Sequence, residues 1–213
     1  MTLRLHAYRH SVYSWIARLT LHEKGLAYDW VEIDPFEPGV PASFLEMQPF
    51  CRVPVLVDGD FQLYETGAIT RYLDECFEGP ALQPCDAKGR ARQAQIVSII
   101  DSYGYWPLVR QVFVHGWYRQ EMGEVPDPAE LSAGLAASPR LLGALERLAV
   151  PDGSYLLGDN PTLADFHAFP MVDYFAMAEQ GAAQLQGHPR LSVWHAAMAA
   201  RNAVRVTRPD FDA

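Results

Sequence analysis

Residues 52–66 read RVPVLVDGDFQLYET, and this stretch decides the fold of the chain. Two short apolar runs flank Asp58-Gly59, and an aspartate-glycine pair in that setting is the strongest short-range signal of a β-hairpin. Pro54 heads the first strand, where a proline interrupts no hydrogen bond inside the sheet and can hold a tight, even cis, turn. The stretch therefore predicts a hairpin that begins with a rigid turn.

A helix is expected directly after the second strand. Glu65 and Thr66 follow that strand, Thr66 is placed to cap the helix, and apolar residues then recur at helical spacing up to Phe77. The N-terminus of a helix carries unpaired N–H groups and a partial positive charge, and it can therefore bind a carboxylate. The hairpin thus offers a rigid turn and an anion site.

The residues before the hairpin predict a β-α-β unit followed by a short helix. Apolar and polar residues alternate over 3–7 and over 28–33, which indicates two strands. Between them we expect a helix that ends at Lys24-Gly25, because a basic last turn and a glycine stop are typical of helix C-termini. With a short helix over 41–47, the order through the first third of the chain becomes β-α-β-α-β-β-α.

A linker and an all-helical region follow. Residues 78–84 hold one glycine and two prolines without periodicity, which indicates a domain boundary. From Asp86 onward every long segment has the pattern of a helix. We therefore predict a first domain of residues 1–78, a linker of residues 79–87 and an all-helical domain of residues 88–213.

Prolines and a capping motif subdivide the helical region. One long helix is expected to kink or break at Pro107, and a second, over 130–148, to be interrupted at Ser138-Pro139. The run from Thr162 to Asp165 is a capping signature at the start of a further helix, and the apolar residues around Trp194 predict the last one.

Composition narrows the class of function. The formal net charge of −9, without a basic face, argues against nucleic acid as a partner. The cysteines and histidines show no metal-ligand spacing, so we expect free thiols in a reducing compartment and no metal site. The N-terminus lacks a signal peptide and no apolar run is long enough to span a membrane. We expect a cytoplasmic protein with no membrane partner.

Taken together, these features resemble the soluble, cytosolic glutathione S-transferases over essentially the whole chain. The resemblance rests on the strand order, the Val53-Pro54 step, the Glu65-Thr66 pair, the linker, and the run GDNPTLAD at residues 158–165. It implies an α/β thioredoxin-like N-terminal domain followed by an all-α helical bundle, the glutathione transferase fold. Among the members, those of bacterial serine type are the most similar, in the manner of the theta, zeta and phi classes.

The resemblance also implies a binding site for glutathione, the co-substrate. Pro54 matches the cis-proline of the family, and the main chain of Val53 would pair with the tripeptide as with one more antiparallel strand. Glu65 and Thr66 match the acidic residue and the hydroxyl that hold the γ-glutamyl end. Arg52 falls where a residue near the glycyl carboxylate lies.

The catalytic group is expected in the turn after the first strand. Glutathione's thiol is mostly protonated at neutral pH and the thiolate is the nucleophile, so a hydroxyl that hydrogen-bonds the sulfur would favour the reactive form. By resemblance to the serine-type turn this hydroxyl belongs to Ser11, with Tyr13 and Ser14 as alternatives. Read without that context, Ser11 and Ser14 are simply helix caps.

A second site is expected on the long helix of the C-terminal domain. Its aromatic residues at helical spacing are as well explained by core packing, but in the family this helix flanks the active site. Tyr103, Trp106 and Arg110 are therefore candidates for contact with the second substrate.

The predicted function is that of a homodimeric glutathione transferase, which activates the thiol of glutathione for attack on a small apolar electrophile in detoxification. Two alternatives stay open: a non-catalytic interaction module of the same fold, and a zeta-like glutathione-dependent isomerase. A thiol transferase ranks below these, because its chemistry needs a cysteine in the turn where this chain has Ser11, Tyr13 and Ser14.

Overall fold

The computed structural model describes residues 2–211. The chain divides into two compact units, one formed by Met1–Ala81 with Asn202–Ala213 and the other by Leu82–Arg201. Residues 202–211 were predicted as part of the helical domain by their place in the sequence, but they pack with the N-terminal unit. Sequence order alone does not reveal this return of the chain.

The N-terminal unit contains the predicted element order. It consists of β1 (Leu3–Ala7), α1 (Val12–Glu23), β2 (Tyr28–Glu32), α2 (Ala42–Met47), β3 (Val55–Asp58), β4 (Phe61–Tyr64) and α3 (Thr66–Cys76), and the late α10 (Asn202–Thr207) joins it. Helix α1 ends as expected, with Lys24 at the cap and Gly25 at a φ of 68°. That backbone region suits glycine because no Cβ clashes there.

The four strands form one mixed sheet in the order β2-β1-β3-β4. Strand β1 is parallel to β2 and antiparallel to β3, and β3 is antiparallel to β4. Alternate residues point to opposite faces of a sheet. One face therefore buries Leu3, Leu5 and Leu56 against residues of α1 and α3, and the other buries Val55 and Val57 with Phe44 of α2.

The hairpin differs from its prediction in two details. Strand β3 begins at Val55 and not at Pro54, so Val53 and Pro54 lie before the ladder. The register pairs Asp58 with Phe61, so the two-residue loop is Gly59-Asp60 and not Asp58-Gly59. Gly59, at a φ of 60°, takes the first central position, where hairpin turns of this length require glycine.

The capping prediction for α3 is wrong. The cap position is occupied by Glu65, at φ 70° and ψ 113°, and Thr66 is the first residue of the helix. No side chain makes a capping hydrogen bond at this end. The conformation of Glu65 is rare for a residue with a Cβ, which is why the residue pattern pointed to Thr66.

The elements of the second unit are all helices. It contains α4 (Ala87–Ile99), a π-helical segment (Ile100–Tyr118), α5 (Arg119–Glu121), α6 (Pro128–Leu148), α7 (Leu163–Met177), α8 (Glu179–Gln186) and α9 (Pro189–Ala199). Within the described residues, no helix combines the length and apolar character needed to cross a membrane.

Neither of the two helices breaks at its proline. The helix continues through Pro107 in π-helical geometry, with hydrogen bonds from residue i to i+5. Helix α6 likewise runs unbroken through Pro139. In both, tertiary packing outweighs the local penalty of a proline.

The capping motif of α7 is present and buried. The Asp165 carboxylate accepts hydrogen bonds from the N–H of Leu156 (2.8 Å), the N–H and hydroxyl of Thr162 (2.7 and 2.9 Å) and the indole N–H of Trp194 (2.9 Å). Burial raises the pKa of Asp165, and these hydrogen bonds oppose that rise because they favour the ionised form. The carboxylate thus ties the start of α7 to α9 and to the preceding loop.

Candidate active site

The sheet register brings three predicted segments to one edge. Val55 pairs with Tyr64 across the hairpin and with His6 of β1. The residues just before β3, those just after β4 and the turn just after β1 therefore extend from the same end of the sheet. Neighbouring strands lie about 4.8 Å apart, so this edge spans roughly 10 Å from β1 to β4.

Val53 and Pro54 form the middle of this edge. The peptide bond between them is cis. Pro54 is buried and Val53 is partly exposed. Within residues 2–211 the main chain of Val53 makes no hydrogen bond, so its amide and carbonyl are available to an added strand.

Glu65 lies on the other side of the hairpin, at the start of α3. Its positive φ places it in a backbone region that costs a residue with a Cβ about 1–3 kcal/mol and that is concentrated at ligand sites. The side chain is exposed and, in the described part of the chain, has no ion pair. A free carboxylate held in this way suits an ammonium group.

Thr66 occupies the first turn of α3 and is 7% exposed. Among residues 2–211 its hydroxyl makes no hydrogen bond. The helix has neither a capping side chain nor an acidic residue in its first turn, so its positive end is not neutralised from within. The hydroxyl and this helix end together offer donors to a carboxylate.

Arg52 stands immediately before Val53. It is exposed and has no ion pair with any described residue. The edge therefore carries an unpaired cation beside Val53 and an unpaired anion at Glu65. An extended peptide with a carboxylate at one end and an ammonium at the other matches this arrangement in charge, and a tripeptide of about 10 Å matches it in length.

Ser11 caps α1 from the turn after β1. Its Oγ accepts the N–H of Ser14 at 3.3 Å, and its own N–H donates to the carbonyl of Tyr8 at 3.0 Å. A hydroxyl that accepts through a lone pair keeps its proton for a further acceptor. Ser11 is only partly buried, and the first turn of α1 holds no acidic residue, so a hydroxyl donor and the positive end of a helix dipole coincide here.

The two alternatives to Ser11 differ from it in burial or in their interactions. Ser14 is 0% exposed and its Oγ accepts the N–H of Tyr8 at 3.2 Å. Tyr13 is partly buried on the first turn of the same helix and has an interaction partner within the described residues. Of the two serines, Ser11 therefore combines partial exposure with a hydroxyl proton that has no acceptor among residues 2–211.

Tyr103, Trp106 and Arg110 lie on the π-helical segment of the second unit, whereas the other predicted site residues belong to the first. Tyr103 and Trp106 are 69% and 60% exposed, and Arg110 is half-buried. The core of this segment is instead formed by residues such as Leu108 and Val112. Core packing therefore does not explain Tyr103 and Trp106, and that interpretation of these two residues is wrong.

Sequence reasoning missed two features near this edge. Cys51 adopts a φ of 51°, although nothing in its neighbours indicates a left-handed residue before Arg52. Residues 210 and 211 contact His10 in the turn that carries Ser11. The signal for that contact is spread over two segments nearly the whole chain apart, so periodicity cannot find it.

Two family models match this chain, one within each of the two compact units. The family model described as "Glutathione S-transferase, N-terminal domain" matches residues 5–81, and "Glutathione S-transferase, C-terminal domain" matches residues 128–197. Among solved structures, a glutathione S-transferase III in apo form superposes with a TM-score of 0.83 at 28% identity, over 97% of this chain and 95% of that one.

Two curated relatives from Arabidopsis thaliana are similar over most of the sequence. Glutathione S-transferase F9 is 28% identical over 197 residues, which cover 90% of this chain and 89% of the relative. Glutathione S-transferase F13 is 30% identical over 195 residues, which cover 90% and 88%. The chain therefore belongs to the glutathione S-transferase family.

Proposed function

We propose that the protein is a glutathione transferase in which Ser11 stabilises the thiolate of glutathione. The observation that carries the proposal is the hydroxyl of Ser11, which caps α1 through a lone pair and keeps its proton. Donated to sulfur, that proton would favour the anion over the thiol, and the positive end of α1 would act in the same direction. The names of the relatives support the activity.

The tripeptide is held along the edge formed by the hairpin and α3. The main chain of Val53, next to Pro54, pairs with the cysteinyl backbone, which sets the sulfur toward the Ser11 turn. Glu65 takes the ammonium of the γ-glutamyl end, and Thr66 with the start of α3 takes its carboxylate. Arg52 takes the glycyl carboxylate, for which its free guanidinium is suited.

The reaction is nucleophilic attack by the sulfur on an electrophilic carbon. The thiol proton is lost to solvent on binding, the sulfur lone pair forms the S–C bond, and the electron pair of the bond that breaks leaves with the displaced group or moves onto an activated double bond. Ser11 acts on the first of these steps, because its hydrogen bond lowers the free energy of the thiolate.

The second substrate is a small apolar electrophile. Tyr103 and Trp106 expose aromatic area on the π-helical segment. Arg110 adds a cation to the same segment. Aromatic faces of this kind favour flat, apolar compounds and suit a role in detoxification.

The protein acts as a cytoplasmic homodimer in this proposal. Phe50, next to the glutathione edge, is 66% exposed, and a large apolar side chain so placed favours burial against a second copy. All three cysteines are free, as suits a reducing compartment. Size-exclusion chromatography with light scattering checks the dimer, and Phe50→Ser should weaken it.

Retention on immobilised glutathione, followed by turnover of a chlorinated nitroaromatic electrophile, tests the function. We expect both binding and conjugation. Trp106→Ala should raise the KM for the electrophile and leave the affinity for glutathione unchanged, whereas Trp117→Ala, a half-buried tryptophan of the same segment, serves as the matched control. Absence of binding at millimolar glutathione would favour a non-catalytic interaction module.

A further inference from the structure

The last described residues of the chain contact the turn that carries Ser11. Nε2 of His10 lies 3.2 Å from the main-chain carbonyl oxygen of Asp210, a distance at which a proton on Nε2 is donated to that carbonyl. The ring of Phe211 packs on the imidazole with centroids 4.9 Å apart. His10 is the residue directly before Ser11, so these contacts reach the candidate nucleophile-activating group within one peptide unit.

This C-terminal segment is anchored before it reaches the turn. The indole N–H of Trp15 donates to the hydroxyl of Thr207 at 3.0 Å, and both groups are buried. Pro209, two residues further on, is buried as well. Since α10 is fixed to α1 in this way, the position of Phe211 follows from packing of the N-terminal unit and is not that of a free tail.

His10 also connects the segment to the main chain that holds Ser11. Its Nδ1 lies 3.4 Å from the hydroxyl of Tyr8. The carbonyl of Tyr8 accepts the N–H of Ser11 at 3.0 Å, and the N–H of Tyr8 donates to Ser14 Oγ at 3.2 Å. A continuous path therefore runs from Phe211 through His10 and Tyr8 to Ser11.

We propose that His10 and Phe211 are positioning residues for Ser11. They hold the turn of residues 8–11 so that the Ser11 hydroxyl points at the glutathione sulfur. This inference rests on the proposed function. Its physical basis is that a hydrogen bond weakens steeply with angle and that a displacement of about 1 Å at a reacting group can cost about a hundredfold in rate.

The direct readout is the ionisation of the bound substrate. Several groups around the turn titrate or carry charge, namely Tyr8, His10, Asp210 and the Arg9–Glu32 pair, whose Nε and Oε1 are 3.6 Å apart. A pH profile of the rate mixes their effects with that of the substrate. The difference in thiolate absorbance between samples with and without glutathione subtracts the three free cysteines of the chain and reports the glutathione sulfur, so it separates positioning from the charge of the turn.

The experiment compares full-length protein with Phe211→Ala, with a chain ended after Arg208, and with His10→Ala. We expect each change to raise the apparent pKa of the bound thiol by about 0.5 to 1, and to lower kcat/KM near pH 6.5 by about three- to tenfold. Phe211→Leu and His10→Phe, which keep an apolar contact between the two positions, should restore part of the loss. Val206→Ala, at an exposed residue of α10, is the control and should change neither quantity.

Three results would overturn the inference. The first is a thiol pKa that stays at the wild-type value in Phe211→Ala and in the shortened chain, whatever their melting temperatures. The second is an equal rise in Val206→Ala, which would indicate general loosening of the unit. The third is an unchanged thiol pKa in Ser11→Ala, which would contradict the proposed function as well. A thiol pKa that rises in Ser11→Ala but not in the other variants contradicts the positioning role alone.

Discussion

The Oγ of Ser11 accepts the backbone N–H of Ser14 at 3.3 Å while Ser11 remains partly exposed at the start of α1. Capping a helix and activating a thiol are therefore compatible roles for one hydroxyl, because the cap uses a lone pair and the thiolate would use the proton. From sequence the two interpretations looked like rivals. In the structure, the capping hydrogen bond from the Ser14 N–H fixes the position of the Ser11 Oγ.

Glu65→Gln should weaken glutathione binding by about 10- to 150-fold, because a charge-assisted hydrogen bond contributes about 1.5–3 kcal/mol and the amide lacks the negative charge. Titration calorimetry with glutathione measures this. Glu78→Gln, another exposed glutamate of the same unit, should bind as the wild type does. Equal affinity of Glu65→Gln and wild type would remove Glu65 from the site.

Thr66→Val should also weaken glutathione binding, whereas Thr66→Ser should not. The valine keeps the shape of threonine and loses the hydroxyl, which is worth about 1 kcal/mol, or about fivefold in affinity. The serine keeps the hydroxyl. If Thr66→Ser instead bound glutathione more weakly than Thr66→Val, position 66 would act through the shape of its side chain and not through a hydroxyl.

The hairpin and its neighbours were predictable because their signals are local. The period of two along the strands, the turn residues near Gly59 and the basic stop at Lys24-Gly25 each determine a few residues at a time. The cap of α3 was assigned to Thr66 because an exposed, left-handed Glu65 has no compositional signature. The continuation of the helix through Pro107 could not be predicted, because tertiary packing and not the local sequence determines it.

The candidate site was predictable as a set of residues and not as a geometry. The pairing of β3 with β4 could be read from the turn, and it places Val53 and Glu65 at one edge. The choice of Ser11 over Ser14 rested on the family resemblance, because the burial of Ser14 and its hydrogen bond from the N–H of Tyr8 have no signal in the sequence. The contact of Phe211 with His10 joins two distant segments, which no local pattern encodes.

Asp165→Ala should destabilise the helical unit by about 3–5 kcal/mol, since it leaves four buried donors without their acceptor. Asp165→Asn should cost less, because its amide oxygen can still serve two of them. Urea unfolding followed by circular dichroism measures the loss. Asp159→Asn, at an exposed position, should lie within about 0.5 kcal/mol of wild type; an equal effect of Asp159→Asn and Asp165→Asn would contradict the account of the cap.

Lys24→Met should destabilise the N-terminal unit by about 3–5 kcal/mol, because it leaves the Asp74 carboxylate buried without its cation. Nζ of Lys24 lies 3.3 Å from the Asp74 carboxylate and 3.1 Å from the carbonyl of Pro80, and the two side chains are 2% and 6% exposed. The pair thus joins the end of α1 to α3 and to the chain that follows.

The Lys24→Met, Asp74→Leu double variant should recover most of that loss, as a buried ion pair can be replaced by apolar residues of similar volume. Arg71→Gln is the control, since it breaks an exposed pair with Glu75 and should change the free energy of unfolding by less than about 1 kcal/mol. Equal losses in Lys24→Met and Arg71→Gln would show that burial of the pair is unimportant.

The most direct test of the central claim is a pH titration of the thiolate absorbance of glutathione bound to the wild type and to Ser11→Ala. A free thiol of this kind has a pKa of about 8.5, and we expect the wild-type complex to lower it by about 1 to 2 and Ser11→Ala to return it most of the way. Ser11→Gly, which costs the helix only a few tenths of a kcal/mol as a cap, should behave as Ser11→Ala does, and Ser43→Ala, at an exposed serine of α2, as the wild type does. A bound thiol that titrates at the same pH in wild type, Ser11→Ala and Ser11→Gly would contradict the account.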